Sequence, residues 1–78
     1  HFPGVLEARL NTAIAHVFAG NYEDAGIVCR ACLEITDPLG ETYIGSYARW
    51  ALGLAALMSG NVVEATGLEQ QALAMSSS

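Results

Sequence analysis

The chain repeats its own sequence at an interval of 40 residues, and this repeat limits the folds open to it. The stretch GNYEDAGIVCRACLEI, which starts at Gly20, returns as GNVVEATGLEQQALAM, which starts at Gly60. The same register aligns further identical residues: Ala8 with Ala48, Arg9 with Arg49, Ala15 with Ala55, Asn21 with Asn61, Ala25 with Ala65, and Leu33 with Leu73. A fixed period of this size is typical of repeat proteins, in which each repeat is one supersecondary unit.

Apolar residues recur at helical spacing within each repeat, and turn residues divide them into four predicted helices. Gly20 and Gly60 are predicted to end the first and third helices, because glycine adopts the left-handed C′ conformation without steric cost. Asn21 and Asn61 are then predicted to cap the second and fourth helices, and Glu64 completes a near capping box.

The other helix boundaries follow from proline and from the apolar pattern. Pro38 predicts that the second helix stops within TDPLG, since proline disfavours a helical Asp37 and has no N–H to donate. The third helix is predicted to run from about Thr42 to Ser59. The fourth is predicted to run to about Met75, with the terminal serines as a frayed end or the start of a linker.

The sequence therefore predicts an all-α fold and a single domain over 1–78, with repeat 1 at about 5–37 and repeat 2 at about 42–76. Each repeat is predicted to be a helix-turn-helix hairpin. Small residues recur where the two helices of a hairpin meet: Ala13 and Gly53 on the first helices, Ala25 and Ala65 on the second. Larger side chains there would push the helices apart.

These small residues carry a resemblance to a known family. Four aligned pairs follow the small, glycine, alanine, alanine pattern of tetratricopeptide (TPR) repeats: Ala13 and Gly53, Gly20 and Gly60, Ala25 and Ala65, and Cys32 and Ala72. The interval is longer than the standard TPR repeat of about 34 residues. The stretch GSYARWALGLAALMSGNVVEATGLEQQALAM is similar to the TPR-like region of large, MalT-like bacterial regulators of the LuxR type. The resemblance implies a short right-handed superhelical array, with ATP-binding and DNA-binding domains outside this segment.

Composition narrows the classes of partner. The net charge is −5, with three arginines and no lysine, which argues against binding of a phosphate backbone by this segment. The longest apolar run, WALGLAALM at 50–58, is far shorter than the roughly 20 residues needed to cross a bilayer. The N-terminus lacks the pattern of a signal peptide. We expect a piece of a longer cytoplasmic protein that binds neither membrane nor nucleic acid through this segment.

The cysteines form a C-x-x-C motif inside the predicted second helix. Redox sites with this motif lie at a helix N-terminus after a strand, and a zinc site would need two more ligands. Only His1 and His16 are available, and neither stands at a recognisable spacing from Cys29 and Cys32. We expect both cysteines to be reduced, metal-free core residues, with Cys32 the more buried. His16 is expected to be structural, and no cofactor is predicted.

Arg9 and Arg49 occupy the same position in the two repeats and admit two interpretations. Each could pair with a carboxylate of its own repeat, with Glu7 and Glu34 as candidates. Alternatively, each is a solvated charge on a helix face that contributes at most ~1 kcal/mol.

In TPR-like arrays the first helix of each repeat lines a concave surface, which implies a candidate interaction face here. Its inward positions are apolar: Leu10, Ile14 and Val17 in repeat 1, and Trp50, Leu54 and Leu57 in repeat 2. These residues either bury one another as ordinary core or form a surface that a neighbouring repeat, a peptide, a small effector or another subunit covers. Because two repeats are few for a stable array, we also predict self-association through Trp50 and its apolar neighbours.

The residues do not assemble into a Ser-His-Asp set, a catalytic carboxylate pair or a phosphate-binding glycine loop, so no enzyme is predicted. The predicted function is a protein-interaction and effector-sensing repeat module of a cytosolic multidomain transcriptional regulator. The alternatives are a stand-alone TPR-type adaptor and an accessory repeat segment of a signalling enzyme such as a nucleotide cyclase.

Overall fold

The computed structural model describes residues 2–77, which form four α-helices. They are α1 (Phe2–Phe18), α2 (Tyr22–Leu39), α3 (Thr42–Met58) and α4 (Val62–Ser77). Because this range contains helices and turns but no strand, the predicted all-α class is confirmed. Among these four helices, none combines the length and the apolar character that crossing a membrane requires.

Glycine ends α1 and α3 in the way the sequence predicts. Gly20 has a φ of 82° and Gly60 a φ of 93°, the left-handed conformation of a C′ residue. The N–H groups of the residues after them, Asn21 and Asn61, donate to the carbonyl oxygens of His16 and Ala56, both at 2.8 Å. These bonds satisfy carbonyl groups that a helix end would otherwise leave without a partner.

The two asparagines behave differently as N-caps. Asn61 Oδ1 accepts the backbone N–H of Glu64 at 3.2 Å, and Asn61 Nδ2 donates to Glu64 Oε2 at 2.8 Å. Asn21 occupies the N-cap position of α2 but makes no side-chain cap hydrogen bond. Its ψ of 65° departs from the extended backbone that normally aims a capping side chain at the first turn.

Helix α2 ends within TDPLG, as predicted, but the predicted reason is wrong, because Asp37 and Pro38 are both helical and the helix continues to Leu39. Proline removes only one backbone hydrogen bond, and here that loss falls in the last turn. Gly40, with a φ of 66°, ends the helix, and its N–H donates to the carbonyl oxygen of Asp37. The next helix begins at once, because the carboxylate of Glu41 accepts the N–H groups at the start of α3.

Helix α3 is the centre of the fold. It packs against α1, α2 and α4, whereas α4 packs against α3 alone within residues 2–77. The core consists of aliphatic side chains and two cysteines: Leu6, Leu10, Ala13, Val17, Ala25, Cys29, Cys32, Ile44, Ala48, Ala51, Leu52 and Ala55. A Cβ added at Gly53 would collide with the carboxylate of Glu69 and lie 3.4 Å from Cβ of Leu68. Gly53 therefore leaves room for the Glu69 side chain between α3 and α4.

Candidate functional site

The repeat 1 residues of the predicted interaction face lie mostly in the core. Leu10 is 0% and Val17 1% exposed, and Ile14 packs against the core with part of its side chain exposed. Helix α3 covers this side of the first helix pair, α1 and α2. Leu10 and Val17 therefore offer no surface to a partner, as the core interpretation of the sequence requires.

The repeat 2 residues at the same positions are open. Trp50 is 44% and Leu57 50% exposed, and Leu54 is only partly buried against the core. Within the described range, no helix covers the second helix pair, α3 and α4, in the way that α3 covers the first. The interaction role of these three residues stays a prediction.

The exposed side of the second helix pair forms a groove between α3 and α4, here named the α3–α4 groove. The groove is lined by Ser46, Tyr47, Trp50, Glu69, Leu73 and Ser76, and it continues past Leu57, Thr66 and Gln70. Leu73 is 68% exposed, and the ring of Trp50 lies 6.1 Å from that of Tyr47. Apolar side chains around a groove of helical walls suit an amphipathic helix as ligand.

Two tyrosines of α3 are held by side chains of α1. Tyr43 donates its hydroxyl hydrogen to Glu7 Oε2, and Tyr47 donates to Asn11 Oδ1, both at 2.5 Å. The hydrogen bond to the Glu7 carboxylate raises the pKa of Tyr43, and burial raises the pKa of Tyr47. The bond from Tyr47 holds the ring that lies next to Trp50, which orders this wall of the groove before a ligand arrives.

Glu69 is an acidic residue inside the groove that the sequence analysis did not single out. Its Oε1 is buried next to Gly53 and has no hydrogen-bond partner among residues 2–77. Burial raises the pKa of its carboxyl group. The equivalent residue in the first helix pair is Cys29, which is fully buried. The repeat alignment could have indicated this residue, because it places the charged Glu69 at the position of the core residue Cys29. A buried charge without a partner is costly.

Arg49 joins three helices through its guanidinium group. Its Nη1 and Nη2 donate to Oδ1 and Oδ2 of Asp37 on α2, at 3.0 and 2.8 Å. Its Nε donates to Oε1 of Gln71 on α4 at 3.2 Å. Arg49 is therefore not a solvated charge, and its carboxylate partner lies in the preceding repeat.

The predicted pairing of the arginines with Glu7 or Glu34 is thus wrong. Arg9 is exposed and makes no salt bridge within residues 2–77, and Glu7 accepts the hydroxyl of Tyr43 instead. Arg9 and Arg49 differ because Arg49 faces the end of α2, where Asp37 lies. No helix of the described chain takes the corresponding place beside Arg9.

The cysteines are core residues. Cys29 and Cys32 are both 0% exposed with free thiols, so the prediction that Cys32 is the more buried is wrong. Burial raises the pKa of Cys29 to about 11. His16 is partly exposed, and His1 lies outside the described residues. In residues 2–77 there is no cluster of three or more histidine, cysteine and acidic side chains that could hold a metal ion.

The α3–α4 groove is therefore the candidate functional site, with an aromatic wall, exposed leucines and an unpartnered carboxylate oxygen. Comparison with known proteins finds no family model, curated protein or solved structure that matches the chain.

Proposed function

We propose that the chain is a TPR-like protein-interaction module whose α3–α4 groove binds an α-helix of a protein partner. One observation carries the proposal: Trp50 and Leu57 are exposed, while Leu10 and Val17, at the same repeat positions, are buried in the helix pair on which α3 packs. The fold thus already contains one example of a helix bound in such a groove. In this proposal the two helix pairs stack as a right-handed superhelical array, with the groove at its open end.

The alignment of α3 along α2 indicates which side chains a helix bound in the α3–α4 groove should have. Gly45 lies next to Thr36 near one end of the contact, and Leu52 and Ser59 line a pocket with Tyr22 near the other end. The two helices are therefore antiparallel, and the numbering along them puts Leu52 level with Cys29.

Glu69 takes the place of Cys29 in the second helix pair. A helix bound in the α3–α4 groove therefore has its central residue level with the carboxylate of Glu69. A donor at that residue would satisfy Glu69 Oε1, whereas an apolar side chain would leave the oxygen buried and unpaired. The preferred partner is thus an amphipathic helix with small residues and one hydrogen-bond donor on its apolar face.

The wider setting that we propose is a multidomain bacterial transcriptional regulator in the cytoplasm, in which the module passes a binding event to ATPase and DNA-binding domains. The resemblance of residues 45–75 to MalT-like regulators of the LuxR type supports this setting. A stand-alone adaptor and an accessory segment of a nucleotide cyclase are the alternatives. The coding sequence on either side distinguishes them: a P-loop upstream with a helix-turn-helix downstream, neither, or a catalytic domain.

Titration with a helical peptide tests the groove directly. The probe is a synthetic peptide of residues 41–59, which is α3 with its N-cap residue, in two forms: unchanged and with Leu52→Arg. Added to the 15N-labelled chain, the Leu52→Arg peptide is expected to shift the signals of Trp50, Glu69 and Leu73. We expect weak binding, with a Kd on the order of 1 mM, because a free peptide must first fold into a helix.

The unchanged peptide is the matched control and should bind several-fold more weakly, since it places Leu52 next to the carboxylate of Glu69. A scrambled peptide controls for general hydrophobic contact. Equal shifts with the scrambled peptide, or no shifts at the groove with any form, would refute the proposed function.

A further inference from the structure

We propose that the helix bound in the α3–α4 groove is α1 of a second copy of this chain, so that copies stack head to tail. The inference rests on the proposed function of the groove and goes further by naming the partner. It follows from the repeat itself, because α1 and α3 are equivalent helices and α3 already occupies the corresponding groove on the first helix pair.

The face of α1 that would dock is largely exposed, although its Asn11 already accepts a hydrogen bond from Tyr47 of the same chain. Apart from Gly53, which lies against α4, the buried residues of α3 are Ile44, Gly45, Ala48, Ala51, Leu52, Ala55 and Ala56. The equivalent residues of α1 define the α1 outer face: Gly4, Val5, Ala8, Asn11, Thr12, Ala15 and His16. All are exposed except His16, which is intermediate. The same repeat positions are therefore covered in α3 and open in α1.

The shape of the α1 outer face matches that of its counterpart. Ala8 and Ala15 are identical to Ala48 and Ala55, which are 0% and 4% exposed where α3 meets the first helix pair. Small residues at these two positions let the backbones of two helices approach closely. Val5 is 51% exposed and adds an apolar contact at one end of the face.

The chemistry of the two faces is also complementary. The register that puts Leu52 level with Cys29 puts Thr12 of one copy level with Glu69 of the next. The Thr12 hydroxyl now donates to the carbonyl oxygen of Ala8 at 3.1 Å, a local bond that rotation about χ1 can exchange. In the stacked pair it can donate to the carboxylate of Glu69, whose Oε1 has no hydrogen-bond partner within residues 2–77. Arg9, one turn away, adds a positive charge to the same face.

Head-to-tail stacking has a consequence that face-to-face pairing lacks. The groove and the α1 outer face are different surfaces, so a pair of copies keeps one free groove and one free outer face. Further copies can then add at both ends. The assemblies are therefore expected to grow with concentration and to show no single limiting size.

Two substitutions separate the surfaces without touching the core. Ala8→Glu places a carboxylate on the α1 outer face, which by the same register would meet Leu73 of the next copy. Trp50→Glu places one in the groove. Both residues are exposed in the single chain, so circular dichroism should show unchanged helix content. Ala74→Glu is the matched control, because residue 74 is exposed and its repeat equivalent, Glu34, is already an exposed glutamate.

Sedimentation equilibrium of the whole chain tests the proposal at protein concentrations up to about 1 mM, which is high enough to detect association with a Kd of about 1 mM. The unchanged chain and Ala74→Glu should associate alike. Ala8→Glu and Trp50→Glu alone should each associate at least about tenfold more weakly. An equal mixture of the two should form a dimer with the affinity of the unchanged chain and stop there, because each variant keeps the surface that the other lacks.

A mixture that associates no better than its components would overturn the proposal and would indicate groove-to-groove pairing. An unchanged chain that stays monomeric would also overturn it, while the peptide titration would still decide whether the groove binds a helix. Thr12→Val provides a second test on the contact itself. It should weaken association by at least about tenfold, the usual effect of losing a hydrogen bond to a charged group, and should have no such effect when Glu69→Leu is also present.

Discussion

Replacing Arg49 by alanine should destabilise the fold far more than the same change at Arg9. The two residues occupy equivalent positions in equivalent helices, and each follows an alanine, so the intrinsic helix propensity lost in the two substitutions is the same. They differ in tertiary contacts. Arg49 binds both carboxylate oxygens of Asp37 and the amide oxygen of Gln71, whereas Arg9 is exposed and makes no salt bridge within residues 2–77.

The expected magnitude lies between those of surface and buried ion pairs. The side chain of Arg49 is 17% exposed and that of Asp37 44%, so the pair is partly shielded from water. Exposed pairs contribute about 0.2–1 kcal/mol, and breaking a buried pair costs about 3–5 kcal/mol. Arg49→Ala should therefore lower the free energy of unfolding by about 1–2 kcal/mol. In a domain of this size that corresponds to a fall in Tm of very roughly 5–15 °C.

Asp37 supplies an internal check on the cause of this loss. It lies in the last turn of α2, where the helix dipole disfavours negative charge. Asp37→Asn should therefore destabilise the unchanged chain, because it weakens the pair with Arg49. In the Arg49→Ala background the same substitution should be neutral or stabilising, since it removes an unpaired charge.

Urea denaturation followed by circular dichroism measures all of these variants. A concentration of about 5 μM keeps association far from half complete if its Kd is near 1 mM. Arg9→Ala should stay within about 0.5 kcal/mol of the unchanged chain, as surface substitutions usually do. Equal losses for Arg9→Ala and Arg49→Ala, or effects of Arg49→Ala and Asp37→Asn that simply add, would refute the assigned role of the ion pair.

Three further predictions concern buried groups. Thr36→Val should raise the free energy of unfolding by about 1 kcal/mol in urea titrations, because the buried Thr36 Oγ1 has no hydrogen-bond partner within residues 2–77 and valine keeps the side-chain shape. A lower free energy of unfolding would show that the hydroxyl does make a hydrogen bond. Because burial raises the pKa of Cys29 to about 11, the folded chain should resist a thiol reagent at about pH 8, where a free cysteine is partly ionised, and should react once unfolded. Burial also raises the pKa of Glu69, so the folded chain holds that proton more tightly than the unfolded chain. This contribution to stability is fully present below the ordinary glutamate pKa of about 4.3 and is lost as pH rises through the raised pKa. Glu69→Gln should remove this pH dependence. Parallel profiles of stability against pH for the unchanged chain and Glu69→Gln would contradict a raised pKa at Glu69.

Local rules account for the features that could be predicted from the sequence. The four helices follow from apolar spacing, and the ends of α1 and α3 follow from Gly20 and Gly60, whose backbone conformation depends on the residue itself. The same kind of reasoning placed the end of α2 within TDPLG but assigned it to the wrong residue, because Pro38 and Gly40 both signal a stop. The glycine ended the helix, since a proline in the last turn removes only one hydrogen bond.

The candidate site required knowledge of which surfaces meet. In the repeat register Leu10 and Trp50 are equivalent, as are Cys29 and Glu69, so a pattern read along the chain treats them alike. The tertiary structure distinguishes them, because α3 packs on the first helix pair and, within residues 2–77, no helix packs on the second. The sequence by itself determined the helices and the repeat, since propensities, turn residues and periodicity act over a few residues. The burial of Leu10, the exposure of Trp50, the partner of Arg49 and the unpaired oxygen of Glu69 were decided only by tertiary packing, because each depends on a neighbouring helix distant in sequence.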